Sequence, residues 1–351
     1  MTATIPDMRR WIAAMALLFS AAMPLAGGQT ATPEELFGRA LTLHDAGDYA
    51  GAIAIYRELL KTMPDNDQVK YELTFSTLAA GDMAEAVRLA AEGANRSGPH
   101  QARYLELLGN AYDAQHKTRD AIAAYKRGIE LDPKYPGIHF NLGVTYAGQN
   151  RHKEARQELE QAIELDPHYA SAHYAIASVY RDAGYRVPAI LAYGRFLSLS
   201  REGERAAEAA KNLQTLLNLG VKAEGGGNVN ITVDPASKKD LGDFSALEMM
   251  AAIASGSSHL PEKNAMSDFE REAETLALFL TMLSEAAGDL KRGFVAKTYV
   301  PFYVALAKAE KGTAFAHVAL APLKLAGTDN WLAGHKNEVS GLDEWLRSAS
   351  R

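Results

Sequence analysis

Cysteine is absent from the 351 residues. That one absence excludes disulfides, thiolate zinc sites, iron–sulfur clusters, cysteine nucleophiles and a lipid-modified cysteine near the N-terminus. Positive charge is not in excess: 37 lysines and arginines face 43 acidic residues, for a net charge of -6. A nucleic-acid partner is therefore not expected, because such partners are met by a basic patch. There is no run of five or six like charges, hence no charged tail. Recognised chemistry is missing as well. No glycine-rich phosphate loop, dinucleotide fingerprint, His-Glu-x-x-His pair or nucleophile elbow occurs. No cofactor and no metal are expected. Gly256-Ser257-Ser258-His259 sets serine beside histidine, but triad partners meet through the fold, so this reads as a polar loop before Pro261.

What is present begins at the N-terminus. Arg9 and Arg10 precede an apolar stretch, Trp11 to Phe19, continued by Ala21, Ala22 and Met23. Ala26 and Gly28 then supply small residues. Charged, apolar, small is the order of a secretory signal, and residues 1–28 are expected to be removed after Gly28. A start at Met8 would shorten the signal toward the usual length. The other reading, a retained anchor, needs roughly 20 apolar residues, and Pro24 interrupts this run. The expected location is the periplasm or another exported compartment of a bacterium, with no stable membrane span after cleavage.

A period of 34 residues follows. Asp132-Pro133 and Asp166-Pro167 are 34 apart, each preceded by Ile-Glu-Leu. Leu108-Gly109-Asn110-Ala111-Tyr112 matches Leu142-Gly143-Val144-Thr145-Tyr146 at the same spacing. Ala121 and Ala155 share one phase; Tyr56, Tyr125 and Tyr193 share another. The pattern resembles the tetratricopeptide repeat, a pair of antiparallel helices. Five units are read, at about 33–66, 67–101, 102–135, 136–169 and 170–203, closed by a capping helix from Glu202 to Leu219. The resemblance is weakest in the second unit, where Gly98 stands at the proline position and Pro99 one step late. Mid-helix Gly109 and Gly143 cost about 1 kcal/mol each against alanine, and their missing side chains let the second helix approach. Gly47, Gly81 and Gly184 are placed to end first helices in the left-handed conformation. One unit cannot bury its own apolar face, so at least three must stack.

The resemblance implies an all-α fold, a right-handed superhelix over 33–219, whose first helices line an inner groove for a protein or peptide segment. Carried over by position, the fifth residues are Phe37, Tyr71, Glu106, Phe140 and Tyr174, and other inward residues are Phe75, Arg103, Asn110, Asp113, Ser178 and Arg181. The expected partner-binding groove is Phe37, Tyr71, Phe75, Arg103, Glu106, Asn110, Phe140, Tyr174 and Arg181. Four aromatics at one phase form either a binding stripe or packing between units. A two-carboxylate clamp is not expected, because the matching positions hold Phe37, Leu41 and Glu106. His139 and His173, 34 apart, read as large packing residues rather than ligands.

After Gly220 the texture changes. Residues 220–240 read as a glycine-rich linker with a lone extended segment, Asn228 to Val233. Residues 241–351 read as a small helical domain with helices near Phe244–Ala254, Ser267–Ala287, Pro301–Glu310, Thr313–Leu325 and Leu342–Ser348. Ser267 and Glu270 form a capping-box pattern. The expected function is an exported scaffold or adaptor in cell-envelope assembly. The alternative makes the C-terminal domain an enzyme acting on a cell-wall or glycan substrate. Self-association of the array is a third option.

Overall fold

In a computed structural model of the chain, residues 31–225, 228–232, 241–290 and 292–349 are described. The expected signal segment, 1–28, lies outside them. The chain divides into two compact units, Met1–Gln149 and Asn150–Arg351.

The first unit holds α1 (Pro33–Asp45), α2 (Tyr49–Thr62), α3 (Asp67–Ala79), α4 (Met83–Ala94), α5 (Gln101–Ala114), α6 (Thr118–Leu131) and α7 (Pro136–Gly148). Each helix packs on the next, and α3, α5 and α7 also touch in succession. This is helix-pair repeat packing. The start of α1 is fixed locally: the Glu35 N–H donates to Thr32 Oγ1 at 3.2 Å and the Thr32 N–H to Glu35 Oε2 at 2.9 Å. Close helix approach is visible at Gly109, where an added Cβ would lie 2.3 Å from the ring of Tyr125 on α6. Tyr125 is 1% exposed, so glycine is required there by space alone.

The turn glycines behave as their phase predicts: Gly47, Gly81 and Gly184 have φ of 83°, 85° and 77°. The corresponding turns after α5 and α7 use His116 (φ 59°) and Asn150 (φ 58°). A side chain in this region is strained by about 1–2 kcal/mol. His116 is exposed, so His116→Gly tests the backbone alone. Glycine also loosens the unfolded chain, which offsets part of the gain. We expect a net stabilisation of about 0.5–1 kcal/mol, read from denaturant unfolding. A destabilised variant would show that the His116 side chain holds the turn.

The second unit continues with α8 (His152–Leu165), α9 (Ala170–Asp182), α10 (Arg186–Leu199) and α11 (Gly203–Leu217). Then come β1 (Val221–Gly225) and β2 (Asn228–Ile231). The remaining helices are α12 (Ser245–Ser257), α13 (Asp268–Ala286), α14 (Phe294–Thr298), α15 (Val300–Lys308), α16 (Gly312–Leu320), α17 (Thr328–Gly334) and α18 (Lys336–Ala349). Ser267 and Glu270 close the expected capping box at α13, and Pro301 sits in the first turn of α15. α16 ends before Pro322, which has no N–H to continue it, and Lys324 turns left-handed at φ 51°. The short helix α17 was not expected from the sequence.

The lone strand is a correction. Asn228–Ile231 pairs antiparallel with Val221–Gly225, in the register Val221↔Ile231 and Lys222↔Asn230. Gly220 (φ 79°) lets the chain turn so that the Thr232 N–H donates to its carbonyl at 2.8 Å; a Cβ there would lie 2.1 Å from the Thr232 oxygen. Val233, read as part of the strand, lies outside the described residues.

The C-terminal helices do not stand apart from the last repeats. Within the second unit α12 and α16 pack on α10, and α12, α13 and α16 pack on α11. From Arg186 to Ser198 every residue of α10 except Arg195 is buried. Both arginines are used. Arg186 donates to the carbonyls of Leu216 (2.7 Å) and Leu217 (2.9 Å) at the end of α11, where cations suit the helix dipole. The Arg195 guanidinium lies 4.5 Å from the Phe302 ring centre. Gly194 leaves room for Tyr303, whose hydroxyl donates to the Leu191 carbonyl at 2.7 Å.

Candidate functional site

Three groups of side chains occupy the first-helix faces expected to meet a partner, two in the first unit and one in the second.

The first is a ladder of rings. His44 stacks on Phe75 at 4.7 Å, Phe75 on Tyr71 at 6.5 Å, and Tyr71 on His100 at 5.4 Å. The rungs are fixed from behind: His44 Nδ1 pairs with Ser76 Oγ at 2.7 Å and His100 Nδ1 with Asp67 Oδ2 at 2.6 Å. Phe75 and His100 are half-buried, whereas Tyr71 is 8% exposed. Phe37 is half-buried and lies 5.9 Å from Tyr56. Phe140 is 8% exposed. The expected stripe therefore splits. Tyr71 and Phe140 are wedged into the packing, while Phe37, Phe75 and His100 keep accessible edges. His44 and His100 were missed because the inward positions carried over from the repeat include neither, although a histidine plane stacks as a phenyl ring does.

The second group surrounds Glu106, which was expected to face the groove. It is 0% exposed. Its carboxylate accepts from the Tyr135 hydroxyl at 2.7 Å and from Asn141 Nδ2 at 2.9 Å. Gly137 supplies the room: a Cβ there would lie 2.9 Å from Glu106 Oε1. Burial disfavours the charged form and pushes the carboxyl up to about 7, against the pull of the two hydrogen bonds and of Arg103. The Arg103 guanidinium sits 5.7 Å from the Tyr135 ring centre. Asn110 accepts from the Tyr125 hydroxyl at 2.7 Å, and Asp113 accepts from Thr145 at 2.6 Å.

The third group, in the second unit, centres on the Tyr193 hydroxyl. Arg181 Nη1 donates to it at 3.1 Å, Asn212 Nδ2 at 3.2 Å, and Ser178 Oγ lies at 3.1 Å. The half-buried Tyr174 ring stands 6.0 Å from Tyr193, and the Arg205 guanidinium lies 5.5 Å from the Tyr174 ring centre. Arg205 and Asn212 come from the capping helix, which no reading of the repeat phase alone brings to this point.

His139 and His173 are held alike. His139 Nε2 bonds the Pro133 carbonyl at 3.2 Å and His173 Nε2 the Pro167 carbonyl at 3.0 Å. A carbonyl only accepts, so Nε2 carries the hydrogen in both. In His173 the bare Nδ1 then accepts from the Tyr299 hydroxyl at 3.0 Å, tying α9 to the C-terminal helices. Those helices also meet the repeats through Arg201–Asp343 at 2.6 Å and Asn218–Glu272 at 3.0 Å. An open depression of about 410 Å³ lies among α13, α15 and α16, with Thr281, Ser284, Lys308 and Glu310 in its lining. Among the described residues no helix is long and apolar enough to cross a membrane.

Two models of the tetratricopeptide repeat match the chain, one over residues 106–170 and 140–185, the other over 43–111. Among solved structures it is similar to the thermophilic tetratricopeptide protein TTC0263 of Thermus thermophilus (21% identity, 52% of this chain and 99% of that one, TM-score 0.47). It is also similar to MamA of Desulfovibrio magneticus RS-1 (26%, 39% and 76%, TM-score 0.34). A third is YrrB, described as a tetratricopeptide protein with an unusual peptide-binding site (18%, 51% and 92%, TM-score 0.38). No curated protein matches the chain. With the 34-residue period, the helix-pair packing and the two family models agreeing over residues 43–185, the chain is a tetratricopeptide-repeat protein.

Proposed function

We propose that this protein is an exported scaffold that holds a segment of another protein against the first-helix faces of its repeats. The observation that carries the reading is the mixture of half-buried rings and cations on those faces: Phe37, Phe75, His100 and Arg103 in the first unit, Tyr174 and Arg181 in the second. Such side chains give large contact area at low entropic cost and anchor interfaces. The C-terminal helices meet the last repeat at His173, Arg186, Leu191, Arg195 and Arg201, whereas Tyr174 and Arg181 meet Tyr193. Both are half-buried, so each also keeps an edge that a partner can reach. Export and a role in envelope assembly rest on the order of charged, apolar and small residues in 1–28.

The test is capture of partners from a cell-envelope extract by the intact chain and by a Phe37, Phe75, Arg103, Tyr174 and Arg181 alanine variant. We expect partner recovery to fall at least about tenfold with the helical melt preserved. The same partners recovered in equal amount by both would sink the groove. A mature chain from the periplasmic fraction should begin after Gly28; an intact Met1 would remove export from the reading.

A further inference from the structure

α12 has an unusual surface. Between Ser245 and Leu260 the only formal charge is Glu248, and Arg186 Nη1 lies 3.8 Å from its carboxylate. A helix this apolar is ordinarily buried on all sides. Here Leu247, Ala251, Ala252, Ala254 and Ser255 face the core, while Met249 is 46% exposed and Ile253 45% exposed. At 100° per residue, Ala246, Met249, Ile253, Ser257 and Leu260 fall on one stripe, with Leu260 in the tight turn that prolongs the helix through the Leu260 N–H to Ser257 carbonyl bond. The strands bound one side: Ile231 Cδ1 lies 3.0 Å from where a Cβ on Gly256 would be.

The stripe has a centre. Ala246 and Leu260 are equidistant in sequence from Ile253, and so are Met249 and Ser257. If a second stripe runs antiparallel with the two-fold axis at Ile253, Leu260 meets Ala246 and Met249 meets Ser257, large against small, while the Ile253 side chains meet each other on the axis. Large against small is how helix faces interdigitate. An isologous contact demands this self-complementarity.

We infer that the exposed face of α12 is a homodimer contact, two copies pairing antiparallel about Ile253. The inference does not depend on what the repeats bind. The flexible thioether of Met249 lets the contact close without an exact fit. The small size of the stripe makes it a weak, concentration-dependent contact rather than an obligate one.

The test uses the full chain. Its mass by light scattering or sedimentation should rise from one copy toward two as concentration increases into the hundreds of micromolar. Ile253→Glu puts two like charges on the axis and should leave one copy throughout, with an unchanged helical melt because the side chain is exposed. The lack of native cysteine permits a positional check. Ile253→Cys should cross-link to a single dimer on mild oxidation at least about tenfold faster than the exposed Thr281→Cys. An equimolar mixture of Ala246→Cys and Leu260→Cys chains should cross-link faster than either alone. A chain monomeric at all concentrations, a dimer indifferent to Ile253→Glu, or Ile253→Cys no faster than Thr281→Cys would overturn the inference.

Discussion

Acidification from pH 7 to pH 4 should weaken the second unit by about 3 kcal/mol through His173 alone. This histidine is 1% exposed, and burial pushes its imidazole down to about 3. Both nitrogens are committed, Nε2 donating to Pro167 and Nδ1 accepting from Tyr299. A second proton would sit on Nδ1 against the Tyr299 hydroxyl. The folded chain therefore refuses a proton that the unfolded chain binds below about 6.5. Stability is whole above that pH and is lost as pH falls from 6.5 toward 3. His317, also lowered by burial, adds in the same direction, and Glu160, raised by burial, opposes. Trp331 and Trp345 report this unit, so urea titrations followed by tryptophan fluorescence in a Trp11→Phe background read it directly. His173→Phe should flatten the dependence between pH 6.5 and 4, whatever its effect at pH 7. An undiminished slope would mean that other groups drive the acid loss. Tyr299→Phe should cost about 1–3 kcal/mol at pH 7 by leaving Nδ1 buried without a donor.

The opposite sign is expected of Glu106 in the first unit. Its folded carboxyl titrates near 7 against an ordinary 4.5. Below 4.5 both states are protonated and nothing is lost. Between 4.5 and 7 the unfolded chain gives up this proton while the folded chain keeps it, so the penalty grows to about 3 kcal/mol near pH 7 and levels off by pH 8, where the folded state holds a buried carboxylate. Glu106→Gln keeps both contacts, with Oε1 accepting from Asn141 and the amide donating to a turned Tyr135 hydroxyl. The variant should be more stable than the parent by up to about 3 kcal/mol at pH 8 and nearly equal to it at pH 4.5. Hydrogen exchange of the α5 amides as a function of pH measures this. A variant less stable at pH 8 would mean that the ionised carboxylate is a net stabilising element, held by Arg103 more strongly than burial opposes it.

The repeat part of the fold was legible because its determinants are local and periodic. Gly109 has to admit Tyr125, Pro133 and Pro167 have to end second helices, and Gly47, Gly81 and Gly184 have to turn left-handed. Each leaves a fixed residue at a fixed spacing. His116 and Asn150 escaped because a left-handed turn tolerates other residues at a cost, so its sequence signature is incomplete. The candidate site was legible only in outline. Repeat phase names a helix face, but it does not distinguish the half-buried Phe75 from the nearly buried Tyr71, or an inward residue from the enclosed Glu106. Those outcomes depend on the neighbouring repeat, which phase does not encode.

The sequence by itself determined the 34-residue unit, the absence of cysteine chemistry and the capping box at Ser267, since each follows from residue type at short range. Only the tertiary structure decided that α10 is covered on both faces, that Val221–Gly225 pairs with Asn228–Ile231, and that Tyr299 meets His173 across 126 residues. Burial at these points comes from segments distant in the chain, and no local pattern records which surface a distant helix will cover.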